Sequence, residues 1–249
     1  MTNQKILKPL SNGKKRILSI AEAMAQIDAH PTPEHPPYLD LEWEVSAPLR
    51  GPEGLENFEA YSYNKSLERI REAGYERHPR PQEFLSLLRD HFEGKLTGEF
   101  GLDIVEFFIK LLTRENYAGW LNMAWERKDN TLVCYMDPEN LRFQHNTGYV
   151  IDGGELKFSY RHDFNILPTD SAHLSNLDES CEGLIKFLYG TTYRGLPEEL
   201  QKTRLILPSE SGVRPVSHVR YSVVGENWFK LEGPDGSLIG ATPGVRKKK

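Results

Sequence analysis

Apolar residues recur at every second position in some stretches of this chain and at helical spacing in others. Leu39, Leu41, Trp43 and Val45 alternate with Asp40, Glu42 and Glu44, the pattern of a strand with one face buried. The same period returns at Leu121, Met123 and Trp125, set against Asn122, Ala124 and Glu126. A polar turn over Arg127–Asn130 and the β-branched and aromatic run Thr131–Met136 complete a hairpin. Gly148–Ile151, the turn Asp152-Gly153-Gly154 and the alternating Leu156, Phe158 and Tyr160 predict a second hairpin, so that residues 119–167 read as an antiparallel meander. Further strands are expected at Leu205–Leu207, Val216–Val224 and Trp228–Leu231, the last pairing with Ser237–Ile239 across Gly233-Pro234-Asp235-Gly236.

Helical spacing predicts five helices and a short sixth. Ser19 and Glu22 have capping-box spacing ahead of Ile20, Ala23, Met24 and Ile27, and His30-Pro31 closes that helix. Leu55–Ala73 carries Leu55, Phe58, Leu67 and Ile70 and stops at Gly74. Pro81 suits the first turn of a helix running to about Glu93, whose apolar face is Phe84, Leu85, Leu88 and Phe92. Leu102–Arg114 and Asn176–Tyr189 follow the same rule, and Pro197-Glu198-Glu199 opens a short helix.

The fold expected from this order is α+β: a helical N-terminal half packed on an antiparallel β-meander, with further C-terminal strands. Residues 1–18 read as a flexible basic arm. Residues 19–37 read as a helix and a connection stiffened by Pro31, Pro33, Pro36 and Pro37, residues 38–245 as a single α+β body, and residues 246–249 as a basic tail.

Charge sharpens that division. The 249 residues carry a formal charge of −5, yet residues 1–16 hold five basic groups and no acid, and residues 246–249 read Arg-Lys-Lys-Lys. Setting these nine aside leaves −14 on residues 17–245. An acidic body repels a polyanion, so nucleic acid is expected to touch only the basic ends if it binds at all. The same ends can reach an acidic protein surface, including that of a second copy.

No run approaches the roughly 20 apolar residues of a membrane helix; Ile104–Leu112 is broken by Glu106 and Lys110. No apolar stretch follows the N-terminal lysines as a signal-peptide core would, so a soluble, cytoplasmic protein without membrane contact is expected. Cys134 and Cys181 lack metal-site spacing and read as reduced, buried thiols. The chain has no phosphate-binding glycine loop, no Gly-x-Ser-x-Gly, no His-Glu-x-x-His and no Cys-x-x-Cys, and it implies no cofactor or metal.

Two polar clusters carry the candidate chemistry. In Glu76-Arg77-His78-Pro79-Arg80-Pro81-Gln82-Glu83 the prolines stiffen an array just before a helix start, where Arg77, His78 and Arg80 form a candidate anion-binding site. The competing reading pairs these arginines with acidic neighbours. In Tyr160-Arg161-His162-Asp163, His162 is a candidate acid–base group, but adjacent strand residues face opposite ways, so Asp163 cannot orient it and Tyr160 is the easier partner. Carboxylate pairs such as Asp103 with Glu106 or Asp178 with Glu182 share helix faces without forming a motif, and Trp120, Trp125 and Trp228 read as core.

Two functions follow from these features. The first is a non-catalytic binding or assembly protein, partnered by another protein or by itself, with an acidic body and basic arms. The second is an enzyme whose dispersed acid–base site centres on His78 or His162.

Overall fold

The computed structural model of the protein describes residues 6–9, 15–18, 38–45, 60–95, 118–144, 147–165, 171–173, 182–207, 212–223, 226–233, 238–239 and 243–249. The helices expected at 19–30 and 102–114 lie outside these residues, as do the opening residues of those expected at 55–73 and 176–189. The chain divides into two compact units, residues 1–34 and 35–249.

In the first unit, β1 (Ile6–Pro9) and β2 (Lys15–Leu18) pair antiparallel. Apolar residues face each other at one end, Ile6 opposite Leu18 and Leu7 opposite Ile17; Lys8 then stands opposite Arg16, and Pro9 opposite Lys15. Strands thus occur within the segment read from sequence as an arm.

The second unit has mixed helix and strand. Its strands are β3 (Leu41–Val45), β4 (Ala60–Tyr61), β5 (Ala118–Lys128), β6 (Thr131–Met136), β7 (Leu141–Gln144), β8 (Gly148–Ile151), β9 (Tyr160–Asn165), β10 (Ser171–His173), β11 (Arg204–Ile206), β12 (Arg214–Val223), β13 (Glu226–Glu232), β14 (Leu238–Ile239) and β15 (Pro243–Lys247). Its helices are α1 (Tyr63–Glu72), α2 (Pro81–Phe92), α3 (Glu182–Tyr189) and the single turn α4 (Glu198–Gln201). A seven-stranded sheet runs in the order β10-β11-β13-β12-β5-β6-β9, antiparallel throughout except for the β11–β13 pair.

The helices lie among the strands, so the expected helical N-terminal half is corrected: α3 and α4 come after β9 and pack on the same core as α2. That core joins Phe84, Leu85 and Leu88 of α2 and Ile185 and Leu188 of α3 to Leu121, Met123, Trp125, Leu132, Cys134 and Met136 on one face of the sheet. Burying such side chains stabilises by about 1.5–3 kcal/mol each. The opposite face of β5 and β6 is covered too. Ala124, Val133 and Tyr135 pack with Leu141, Tyr149 and Ile151 of the β7–β8 hairpin, and Trp120 packs with Tyr63 and Leu67 of α1. Asn122 and Glu126, the polar half of the β5 alternation, are therefore only 3% and 8% exposed.

Two expected pairings are corrected. β8 pairs with β7, not with residues 156–160, and β9 pairs with β6. The Asn140 side chain explains this: it donates to the carbonyls of Asp152 (2.5 Å) and Glu155 (2.8 Å) and accepts from the Lys157 amide (2.8 Å), tying 152–157 into a loop. Gly153 and Gly154, at φ 84° and 83°, supply the left-handed backbone this path needs. Likewise β13 pairs with β12 on one side and β11 on the other, so β14 pairs with β4 instead.

β15 pairs antiparallel with β3, Val245 opposite Trp43 and Arg246 opposite Glu42. The residues set apart in the sequence as a basic tail thus begin inside a paired strand. Arg246 donates to Glu42 at 2.5 Å and lies over the Tyr75 ring at 4.8 Å.

Candidate functional site

α1 ends at Gly74 (φ 87°), where the Tyr75 amide bonds back to the Ile70 carbonyl at 3.0 Å. The chain then runs past β15, with Val245 N–H donating to the Arg77 carbonyl at 2.9 Å, and past β5, with Asn122 N–H donating to the Pro79 carbonyl at 2.8 Å. Pro81 occupies the first turn of α2, as its ring geometry favours. Residues 77–80 are thereby pinned between the last strand and the middle of the sheet; of the candidate anion-binding residues, the Arg77 and Arg80 side chains fall into one polar network, while the His78 ring bonds Ser66 apart from it.

Both arginines are engaged by carboxylates. Arg77 donates to both Glu83 oxygens at 2.7 Å, and Glu83 also accepts the Arg80 backbone N–H at 2.7 Å, reaching back from the third residue of α2 to its cap. Arg80 donates from Nε and a terminal nitrogen to Asp137 at 3.0 and 2.6 Å. Planar guanidinium on planar carboxylate is the strongest arrangement these groups can form. An incoming anion would have to displace a carboxylate already in place.

Asp137 follows β6 in the left-handed region (φ 54°) and accepts from Asn122 Nδ2 at 2.5 Å. Burial pushes its carboxyl up, but hydrogen bonds from Arg80 and Ser159 outweigh this and hold it below the usual range. Asn122 Oδ1 in turn accepts from the Tyr63 hydroxyl at 2.9 Å, and the Tyr63 backbone N–H donates to the Tyr149 hydroxyl at 3.0 Å. Burial, then the Asp137 charge, keeps the Tyr63 hydroxyl protonated.

His78 is fully buried. Its Nε2 lies 3.0 Å from Ser66 Oγ, its ring meets Tyr63 edge-on at 4.9 Å, and Nδ1 has no hydrogen-bond partner among the described residues. Burial, with a smaller contribution from Arg71, brings its pKa down to about 3, so the ring is neutral at physiological pH. It has neither the solvent access nor the pKa of a general base.

His162 lies elsewhere, on β9 opposite Cys134, half-buried and stacked on Phe187 of α3 at 5.5 Å and 11°. Asp163 is on the other face and accepts two 2.7 Å bonds from Arg161, so no His162–Asp163 dyad forms. The Cys134 thiol is buried and free, and burial pushes its pKa well up, which leaves it inert; Cys181 is outside the described residues. A second buried histidine, His218, packs against Phe84 at 5.2 Å, and burial lowers its pKa to about 3.

Sequence reasoning missed Tyr63, Ser66, Asn122 and Asp137. Asn122 left one trace, a polar side chain inside a long strand, but alternation assigned it to solvent. No group of three or more metal-ligating side chains is found among the described residues, and no described helix is long and apolar enough to cross a membrane. One open concavity of ≈590 Å³ lies on the loop after β8, lined by Glu139, Asp152, Glu155, Lys157 and Phe158 among others. No family model, no curated protein and no solved structure matches this chain.

Proposed function

We propose that this protein is a non-catalytic binding or assembly protein. One observation carries the reading: the residues with the most chemical potential are spent on one another. Arg77, Arg80, Glu83, Asp137, Asn122 and Tyr63 form a network that ties α1, α2, β5 and the turn after β6 together. Such a network rigidifies a scaffold. The five basic residues within 1–16 add support, because an acidic partner surface attracts them. Three carboxylates around the concavity after β8 add to the acidity of the body.

The enzyme reading survives at His162, whose half-exposed ring lies on a strand at the sheet border. A native mass spectrum of the gently purified full-length chain separates the two. A homo-oligomer or a co-purified macromolecule supports binding or assembly. A bare monomer with an activity that His162→Ala abolishes, its thermal melt unchanged, overturns it.

A further inference from the structure

β9 is one border of the seven-stranded sheet, and among the described residues no strand pairs with its outer side. Exposed borders of this kind template pairing with another chain unless charge prevents it. β9 carries charge, but arranged about a centre: Tyr160-Arg161-His162-Asp163-Phe164, one cation and one anion two residues apart. Arg161 and Asp163 share a face, with side chains 43% and 45% exposed, while Tyr160 is 40% exposed.

We infer that β9 is a self-association edge, pairing antiparallel with β9 of a second copy about a two-fold axis through His162. The inference rests on the assembly reading above and names its partner. In this register Arg161 of one copy stands opposite Asp163 of the other, twice over by symmetry, and Tyr160 stands opposite Phe164, also twice. Opposite charges and aromatic pairs directly across a strand pair are both favourable. A two-fold interface requires just this self-complementarity. Moving the axis one residue either way sets Arg161 against Arg161 or Asp163 against Asp163, so charge selects the register. The pattern also disfavours strands lacking it, which lets such a border stay specific.

The test uses the full-length chain in sedimentation equilibrium with three variants. Wild type is expected to dimerise. R161D sets two carboxylates against two, D163R two guanidiniums against two, and each variant should weaken the dimer by at least about tenfold in Kd. The R161D/D163R double variant restores opposite charges and should regain the dimer. Mixing the two single variants should give a heterodimer that neither forms with itself. Both positions are exposed, and far-UV circular dichroism confirms that each variant is folded. A wild type that stays monomeric, a dimer indifferent to both single variants, or a mixture without heterodimer overturns the self-pairing. A monomer that still carries another macromolecule in the native spectrum overturns only the self-pairing, not the binding reading.

Discussion

Arg80 and Asp137 stand 57 residues apart and meet through two hydrogen bonds, 3.0 and 2.6 Å long, that join the cap of α2 to the turn after β6. Asp137 does two things there. Its carboxylate answers Arg80 and Asn122, and its backbone takes a left-handed conformation that Asn and Asp tolerate better than other side chains. The two roles can be measured apart. D137N keeps the backbone tolerance and loses the charge; with Arg80 partly exposed, a loss of about 1–2 kcal/mol is expected. D137A adds the left-handed strain, about 1 kcal/mol more. Urea midpoints of the two variants give both quantities, and equal losses would show that the backbone is unstrained.

Glu83 is the more deeply held carboxylate, satisfying Arg77 and the Arg80 backbone together. E83Q leaves the Arg77 guanidinium without its ion pair in a site only 4% exposed at Glu83, and a loss of about 2–3 kcal/mol is expected. For a chain of this size that lowers Tm by roughly 5–10 °C. A shift under about 2 °C would show that solvent reaches the pair.

His78 sets an acid limit on stability. Its pKa falls from the ordinary 6.5 to about 3 on folding, so between those values the unfolded chain binds a proton the native state refuses. Stability is therefore full above about pH 6.5 and declines as pH falls toward 3, by up to about 1.4 kcal/mol per pH unit. His218 adds a second decline of the same sign. Asp137, held low in the native state, keeps its contribution until the pH drops below the ordinary carboxylate range. Urea melts from pH 7 to 4.5 should show the decline, and H78Q should make it shallower. An identical slope in H78Q would overturn the assignment. H78A should melt at lower temperature at pH 7, as a structural histidine does.

Gly244 in β15 marks a close approach. A Cβ there would lie 2.6 Å from Ile70 Cγ2 and 3.1 Å from Tyr75 Cβ. G244A therefore forces the strand off α1, and about 1–3 kcal/mol should be lost. Hydrogen exchange should show the Val245 and Arg77 amides losing protection first.

Lys8 and Arg16 occupy paired positions of β1 and β2. If that pair meets an acidic partner, K8Q/R16Q should weaken capture of the partner and flatten its salt dependence. Capture that is unchanged in affinity and in salt response would remove the hairpin from the interface.

The sequence made some of this legible. Pro81 and the Phe84-Leu85-Leu88 face located α2 almost to the residue, and the Thr131–Met136 run located β6, because both signals are local. What failed was long-range. Leu156, Phe158 and Tyr160 alternate as a strand should, yet Asn140 holds that segment in a loop, and no local period reports a side chain twelve or more residues away. The cluster at 76–83 was visible as chemistry, but its meaning depended on Glu83 and Asp137. Only the first of those lies within the cluster. Asn122 shows the same limit: its face of β5 would be wet in a two-layer fold and is buried because the β7–β8 hairpin and α1 lie over it.

The pairing of β15 with β3 has a consequence for the order in which the body is built. Arg246 and Glu42 are separated by 204 residues, so their strand pair closes nearly the whole body into a loop. The entropy of that closure favours making the pair late, after nearer contacts such as the β5–β6 hairpin have shortened the effective loop. During synthesis β3 emerges before β15 and cannot make this pair until the residues between the two strands have been added. Throughout that interval β3 lacks this partner, and the time it lasts is set by translation rather than by the fold.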